Sequence, residues 1–332
     1  MGKIIRNHQI NVGVIGLGVG EQHLISYIKS KLVNKIFVYD FKKSKQDSIL
    51  KKYKNVIGCQ SENEILLNKD IQAVSIASFD QYHYAQIISA LRNNKNIFCE
   101  KPICTETFQL KKIFDLLKKK KKVMTTNTVL RVSPRFKKIK EKIQKSKFGR
   151  IYYIEADYNY GRRHKISKGW RGKIKDFSVV LSGGIHLIDL VLWYLKTEVS
   201  YVKSFSNNLC IKKDTIDDQV VSLIKFNNGV IVKLSCNFGC VYPHFHRLII
   251  YGSNGTFEQS FSGSFFLEKT PKGLKKLKEN TVYPGVNKGD MIENFLQAIV
   301  FKKKLIVSEE EMFNSMELCL KINKSLEINN EN

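Results

Sequence analysis

The rhythm of apolar and polar positions changes about halfway along this chain. Over the first 125 residues, short apolar runs alternate with amphipathic stretches. Residues 10–15, 36–39, 73–77, 96–99 and 123–126 predict strands. Between them, residues 21–31, 44–54, 81–93 and 106–120 predict helices. Strands that keep alternating with helices predict a parallel sheet covered on both faces, a doubly wound Rossmann domain.

From about residue 148 the pattern is different. Residues 151–160 form one long run rich in aromatic and β-branched side chains, and 185–195 predict a helix. Further strands are predicted at 199–207, 218–226, 229–238 and 246–251, with Asn227-Asn228-Gly229 as a turn between two of them. Two late helices follow near 290–302 and 308–327, and Ser308 and Glu311 have capping-box spacing at the start of the second. The expected fold is α/β: a dinucleotide-binding domain over 1–127, then a substrate-binding and oligomerisation domain over 128–332. The second domain is built on an open, mostly antiparallel sheet with few helices. Its last helix is free to pack back on the first domain.

The length of 332 residues fits two domains, and 43 % hydrophobic with 26 % charged residues is globular composition. No run reaches the roughly 18 apolar residues of a membrane span. The nearest, 179–195, contains His186 and Asp189. The opening residues run into the first strand without a small-residue cleavage site, so no signal peptide is expected. A net charge of +26 raises the question of nucleic acid. No basic stretch is interleaved with aromatics, and the lysines at 118–122 close a helix, where cations suit the dipole. No nucleic-acid or membrane partner is expected. The positive field suits anionic small molecules such as phosphorylated or nucleotide-linked sugars. Seven cysteines, an odd number without a C-x-x-C pair, suit free thiols in a reducing, cytoplasmic compartment.

The first strand leads into Gly16-Leu17-Gly18-Val19-Gly20. Glycines after a strand let the backbone turn tightly and approach a pyrophosphate at a helix N-terminus. The usual G-x-G-x-x-G spacing would put its third glycine at Glu21; here Gly20 stands one position early. Asp40 ends the second strand, 24 residues after Gly16. An acid there either binds adenosine ribose hydroxyls and repels a 2′-phosphate, or caps the next helix. Lys42 and Lys43 offer that phosphate some attraction, so NAD is favoured and NADP is possible. Ser78, after the strand at 73–77, lies at the same carboxyl edge. Glu100, Lys101 and Pro102 follow the strand at 96–99, where ligands of open parallel sheets bind.

With Asp80-x-x-His83, Glu100-Lys101-Pro102 and Gly183-Gly184-Ile185-His186-Leu187-Ile188-Asp189, the chain resembles the glucose–fructose oxidoreductase / inositol dehydrogenase / rhizopine-catabolism (Gfo/Idh/MocA) family over nearly its whole length. Trp170-Arg171 precedes the last motif at a spacing that the family shares. The resemblance implies that Gly16, Gly18, Val19, Gly20, Asp40, Ser78, His83, Glu100 and Lys101 bind the cofactor. It implies that Lys101 orients the reacting hydroxyl and stabilises negative charge on its oxygen. His186 is implied as general acid/base, since an imidazole titrates near working pH. Asp189 either orients substrate or histidine, or pairs locally. Many catalytic relatives carry Asp four residues before the histidine, where this chain has Ser182.

Tyr160, Arg162, Trp170 and Arg171 lie between the long strand and the histidine motif, and with His244 and His246 they are candidate substrate contacts. Aromatic faces stack on sugar rings, and arginines bind phosphates or carboxylates. Cys236, Cys240, His244 and His246 would make a zinc set only if a hairpin gathered them, because an extended strand spreads ten residues over roughly 33 Å. No metal is expected. The reading is an NAD(P)-dependent oxidoreductase acting on a secondary alcohol of a sugar or nucleotide-sugar, as a homodimer or homotetramer by analogy. The alternative, motivated by Ser182, is a non-catalytic nucleotide-binding regulator or scaffold of the same fold.

Overall fold

The computed structural model describes residues 8–174, 177–211 and 216–330. The opening segment read above for a targeting signal, 1–7, lies outside them. The chain divides into two compact units: Met1–Val132 with Val286–Phe313, and Ser133–Gly285 with Asn314–Asn332. The first crossing falls at Val132/Ser133. The second unit is not one continuous stretch, because Val286–Phe313 returns to the first.

The first unit holds six parallel strands: β1 (Ile10–Ile15), β2 (Val33–Tyr39), β3 (Val56–Gly58), β4 (Ala73–Ile76), β5 (Asn96–Cys99) and β6 (Met124–Thr126). Their order in the sheet is β3-β2-β1-β4-β5-β6. The order reverses between β1 and β4, the place where doubly wound sheets open a crevice beyond the carboxyl ends of their strands. The strands are short, largely buried runs such as Val12, Val14 and Val74, as a sheet covered on both faces requires. β3 and the short helix Glu62–Leu66 add to the expected elements.

Val286–Phe313 contributes the helix Ile292–Phe301 and the start of the last helix, Glu309–Asn330. Phe295 lies against Phe98 with ring centres 5.7 Å apart. The capping box forms as read. Glu311 donates its amide to the Ser308 hydroxyl at 3.2 Å, and the Glu311 carboxylate accepts the Ser308 amide at 3.0 Å. The same carboxylate pairs at 2.8 Å with Arg131, whose side chain is almost fully buried.

The second unit is built on eight strands: β7 (Ile151–Asn159), β8 (Val199–Asn207), β9 (Gln219–Phe226), β10 (Ile231–Asn237), β11 (Phe245–Gly252), β12 (Gly255–Ser260), β13 (Gly263–Thr270) and β14 (Gly273–Lys278). Their order is β14-β13-β12-β11-β7-β10-β9-β8, antiparallel except for β7 beside β10. The last three strands and the helix Pro134–Gln144 extend the expected list. Register separates the two faces. His246, Tyr158, Cys236 and Val220 form one cross-strand row on the inner face, where the helix Ile185–Leu195 is buried nearly along its length. Rows between them carry Glu155, Asp157, Lys233 and Arg247 outward. Arg247 reaches both carboxylates at 2.7 Å, and Lys233 reaches Asp157 at 2.6 Å. Tyr201, Phe205, Leu223 and Ile231 are exposed on the same face.

No helix among the described residues is long and apolar enough to cross a membrane. Loss of the cap in Ser308→Ala should cost about 1 kcal/mol. Glu311→Ala also takes a carboxylate from the buried Arg131 and should cost about 3 kcal/mol. Urea unfolding midpoints order the two variants, and equal losses would mean that the ion pair adds nothing to the cap.

Candidate active site

The nucleotide edge of the first unit is shaped by backbone. Gly16 has φ +85°, and a side chain there would come within 2.5 Å of the Ala77 carbonyl oxygen, so only glycine lets the turn pass β4. A Cβ on Gly18 would point into open space, whereas one on Gly20 would press on Val14 and Ala77 at 3.0 and 3.2 Å. The close helix-to-strand packing expected of a third glycine therefore falls to Gly20, where the helix Gly20–Lys29 begins. Glu21 turns away to Lys52 at 2.7 Å and Tyr53 at 3.1 Å. The Lys52 contact, opposed by partial burial, holds its pKa below the ordinary value. Val19 is 40 % exposed beside the turn.

Asp40 ties this turn to the end of β2. One carboxylate oxygen accepts the Leu17 amide at 2.7 Å and the other the Lys42 amide at 2.9 Å. The cap position of the next helix is Lys42, so Asp40 is not its N-cap. Lys43 lies 3.4 Å from Asp47, and the Lys42 ammonium lies over the Phe41 ring. Phe41 is 61 % exposed, and its ring meets Phe79 edge-on at 5.4 Å. Sequence reasoning missed this pair, although each follows a strand by two or three residues.

Ser78 donates its hydroxyl to Gln86 at 2.7 Å. His83 stands in the first turn of the helix Asp80–Arg92. It is wholly buried, with Nδ1 2.6 Å from the Pro102 carbonyl and Nε2 3.2 Å from the Ser78 carbonyl. Two carbonyls thus face its ring nitrogens, which places His83 between the loops after β4 and β5. Glu100 is also buried. The Asn127 amide donates to it at 2.7 Å, and His23 Nε2 lies at 3.3 Å. Asn127 donates in addition to the Lys288 carbonyl at 2.8 Å. Burial alone would raise the Glu100 pKa. The His23 hydrogen bond and the nearby Lys288, His23 and Lys101 charges outweigh it and hold the carboxyl well below the usual range. Lys101, next in sequence, stands half-buried at the tip of β5.

In the second unit, a floor of rings gathers residues far apart in sequence. Tyr158 lies 5.1 Å from His246, 5.4 Å from His244 and 6.4 Å from His186, between ring centres. His186 and His246 stand perpendicular at 6.2 Å. Tyr160 stacks on Phe238 at 4.4 Å. Gly183 and Gly184 permit this. Side chains there would strike the Tyr158 ring at 2.5 Å and the Cys236 sulfur at 2.4 Å, so the histidine-bearing helix could not approach. A π-type turn, Val180–Gly184, carries Ser182 into it.

His244 Nε2 is 3.0 Å from the Tyr158 hydroxyl. The Tyr283 hydroxyl accepts the His246 amide at 2.9 Å and sits 2.6 Å from Nδ1 of the same residue. Burial holds the Tyr283 phenol in its protonated form. Sequence reasoning missed Tyr283, as it missed Asn127. Arg162 lies over the Tyr160 ring at 5.9 Å, and Arg171 over Trp170 at 4.5 Å.

Asp189 stands on the same helix as His186. It is fully buried and accepts the Ser315 hydroxyl at 3.1 Å. Among the described residues, no three His, Cys, Asp or Glu side chains are grouped to hold a metal, and all seven cysteines are free. Burial pushes the Cys236 thiol up to about 12, which makes it a poor nucleophile.

A glycine turn and acid at the switch point, with buried imidazoles over an aromatic floor, define the parts of a nicotinamide-dependent oxidoreductase. Residues 10–128 match the oxidoreductase family with an NAD-binding Rossmann fold, and residues 136–258 match the GFO/IDH/MocA C-terminal domain. The chain belongs to the GFO/IDH/MocA family, as an NAD(P)-dependent dehydrogenase acting on CH–OH groups. It is 22 % identical over 256 residues to an inositol 2-dehydrogenase of Acidothermus cellulolyticus, covering 75 % of this chain and 72 % of that one. It is 23 % identical to a myo-inositol 2-dehydrogenase of Thermotoga maritima, covering 74 % of each. The fold is shared with UDP-N-acetylglucosamine 3-dehydrogenase from Acidithiobacillus ferrooxidans, at a TM-score of 0.80 and 18 % identity, covering 96 % of this chain and 98 % of that one. It is shared too with scyllo-inositol dehydrogenase from Lactobacillus casei, solved with NAD(H) and scyllo-inositol, at 0.82 and 17 %, covering 97 % and 98 %.

Because the folded Glu100 pKa lies below its ordinary 4.5, the carboxylate's contribution to stability is complete above that pH. It is lost as the pH falls from there through the folded value. Glu100→Gln should destabilise the protein by roughly 2 kcal/mol at neutral pH, and the gap should close in acid. Thermal melts of both proteins from neutral pH downward test this, and a gap independent of pH would show that the charge is not its source.

Proposed function

We propose that the protein transfers a hydride between NAD and a secondary alcohol of a sugar-type polyol. The observation that carries this reading is the Asp40 carboxylate bonded to the Leu17 amide. It fixes the turn that a dinucleotide needs and leaves an acid where the ribose hydroxyls of NAD would lie. With Lys43 beside Asp47 and Lys42 over Phe41, a 2′-phosphate would meet the Asp40 charge first, which favours NAD over NADP. The backbone at Gly16, Gly18, Val19 and Gly20 takes the diphosphate at the start of a helix. Phe41 and Phe79 offer the adenine a face to stack on, and Ser78 and Glu100 border the cofactor at the next two strands.

Bound NAD supplies the hydride acceptor. Lys101 holds the reacting oxygen and stabilises the negative charge that grows on it as the carbon loses hydride. His186 takes the hydroxyl proton and returns it in the reverse direction. His246, His244, Tyr160, Arg162, Trp170 and Arg171 complete the substrate contacts. Ser182 stands where many catalytic relatives carry Asp, four residues before this histidine. The chain works in the reducing cytoplasm, consistent with its free thiols. It pairs with further copies through the outer face of the open sheet, where exposed apolar rings flank a mixed-charge network.

Lys101→Ala and His186→Ala should each lower turnover by roughly 10²–10⁴-fold and leave NAD affinity largely intact. Nicotinamide absorbance against a panel of polyols, sugars and nucleotide-sugars reads the first, and fluorescence titration the second. Parent-level turnover in either variant removes that residue from its role.

A further inference from the structure

Three arginines rim the ring floor of the second unit. Arg162 meets the Tyr160 ring, Arg171 the Trp170 ring, and Arg163 donates to the Cys210 carbonyl at 2.8 Å. Among the described residues, none of the three has a carboxylate partner. Other arginines of this chain are treated differently. Arg131 pairs with Glu311, and Arg247 with both Glu155 and Asp157. Asp218 holds the loop that Arg163 touches, but its carboxylate is turned to the Cys210 and Ile211 amides. Arg171 and Arg162 both bear on Tyr158, pulling its phenol toward ionisation against the larger effect of burial, so their charge reaches the floor itself.

Beside these arginines lies an open cleft of about 510 Å³, walled by Gly161, Arg163, His164, Cys240, Tyr242 and Pro243. Its walls start one residue after Tyr160 and stop one residue before His244, so they continue directly from the floor. The junction is closely built. Gly161 has φ +60°, and any side chain there would strike the Tyr242 carbonyl oxygen at 1.6 Å. The volume falls among clefts that hold ligands larger than a single sugar ring, about 300–1,000 Å³. A neutral polyol needs no guanidinium, whereas a phosphoryl group is the ligand that planar, doubly donating arginines bind best.

We propose that this cleft binds the phosphoryl group of an anionic sugar substrate, so that the polyol ring over the histidine floor arrives joined to a phosphate or diphosphate. The inference rests on the dehydrogenase reading of the same floor and narrows its substrate class. Arg163 and His164 face the phosphoryl oxygens from the cleft wall, while Arg162 and Arg171 hold the rim where the phosphate joins the sugar.

Calorimetric titration of the intact protein needs no turnover and tests this directly. The probes are UDP, UDP-N-acetylglucosamine, glucose 1-phosphate, free glucose and myo-inositol, each with and without saturating NADH, so that binding at the first unit's nucleotide edge is separated. The phosphorylated probes should bind at least about tenfold more tightly than the neutral ones, and more weakly at high salt. Arg163→Gln and Arg171→Gln should each lose about tenfold for those probes. Arg163→Lys should fall between, and NAD affinity should hold in all of them, which also reports folding. Stronger binding of UDP-N-acetylglucosamine than of glucose 1-phosphate identifies a diphosphate, and the reverse a monophosphate ester. Neutral probes binding as tightly as phosphorylated ones, or glutamine variants binding like the parent, overturn the proposal. Absence of NAD binding would instead sink the dehydrogenase reading and leave the phosphoryl result to be judged by its own arms.

Discussion

The carboxylate of Asp40 sits between two backbone amides, that of Leu17 in the glycine turn and that of Lys42 after the second strand. A buried acid that accepts two amides fixes loops that glycines alone would leave free to wander. The turn then runs past β4 at a distance only Gly16 tolerates, and Gly20 lets the first helix press on the sheet. With the turn fixed, the positive end of that helix and the open side of Gly18 face the switch point. Every cofactor contact proposed above depends on that shape. An uncharged residue at this position would leave two buried amides with a weaker acceptor or none.

A second buried carboxylate organises the other side of the same edge. Glu100 is held ionised by His23, Asn127 and the surrounding ammonium groups, and its backbone leads directly into Lys101. The strand tip is therefore stiffened from within the first unit, which suits a lysine whose ammonium must meet one oxygen. The ring floor of the second unit follows the same logic with different chemistry. Glycines 183 and 184 bring the helix of His186 onto Tyr158 and Cys236, and the Tyr283 hydroxyl stands 2.6 Å from Nδ1 of His246.

Much of this was legible because periodicity is a local signal. The strands at 10–15, 96–99 and 199–207 and the helix at 185–195 stand where the pattern puts them. β3 has three residues, too few to show any period, and the strands after 255 carry lysines and glycines on a half-solvated face that mute the alternation. The helix Pro134–Gln144 did carry a signal, Pro at its first position with Phe136 and Ile139 on one face. At the site, glycine and motif residues could be read because the backbone needs them locally. Asn127 and Tyr283 could not, because each acts on a partner brought near only by folding, with no spacing to mark it. His83 and Asp189 show the converse. Their motif positions were visible, but not their burial against Pro102, Ser78 and Ser315.

Binding of a nicotinamide dinucleotide stands or falls with the Asp40-anchored turn. Isothermal titration of the purified protein with NAD and with NADP tests it most directly. One NAD should bind per chain, with NADP binding more weakly. No binding of either nucleotide contradicts it outright, and tighter binding of NADP would contradict the part assigned to Asp40.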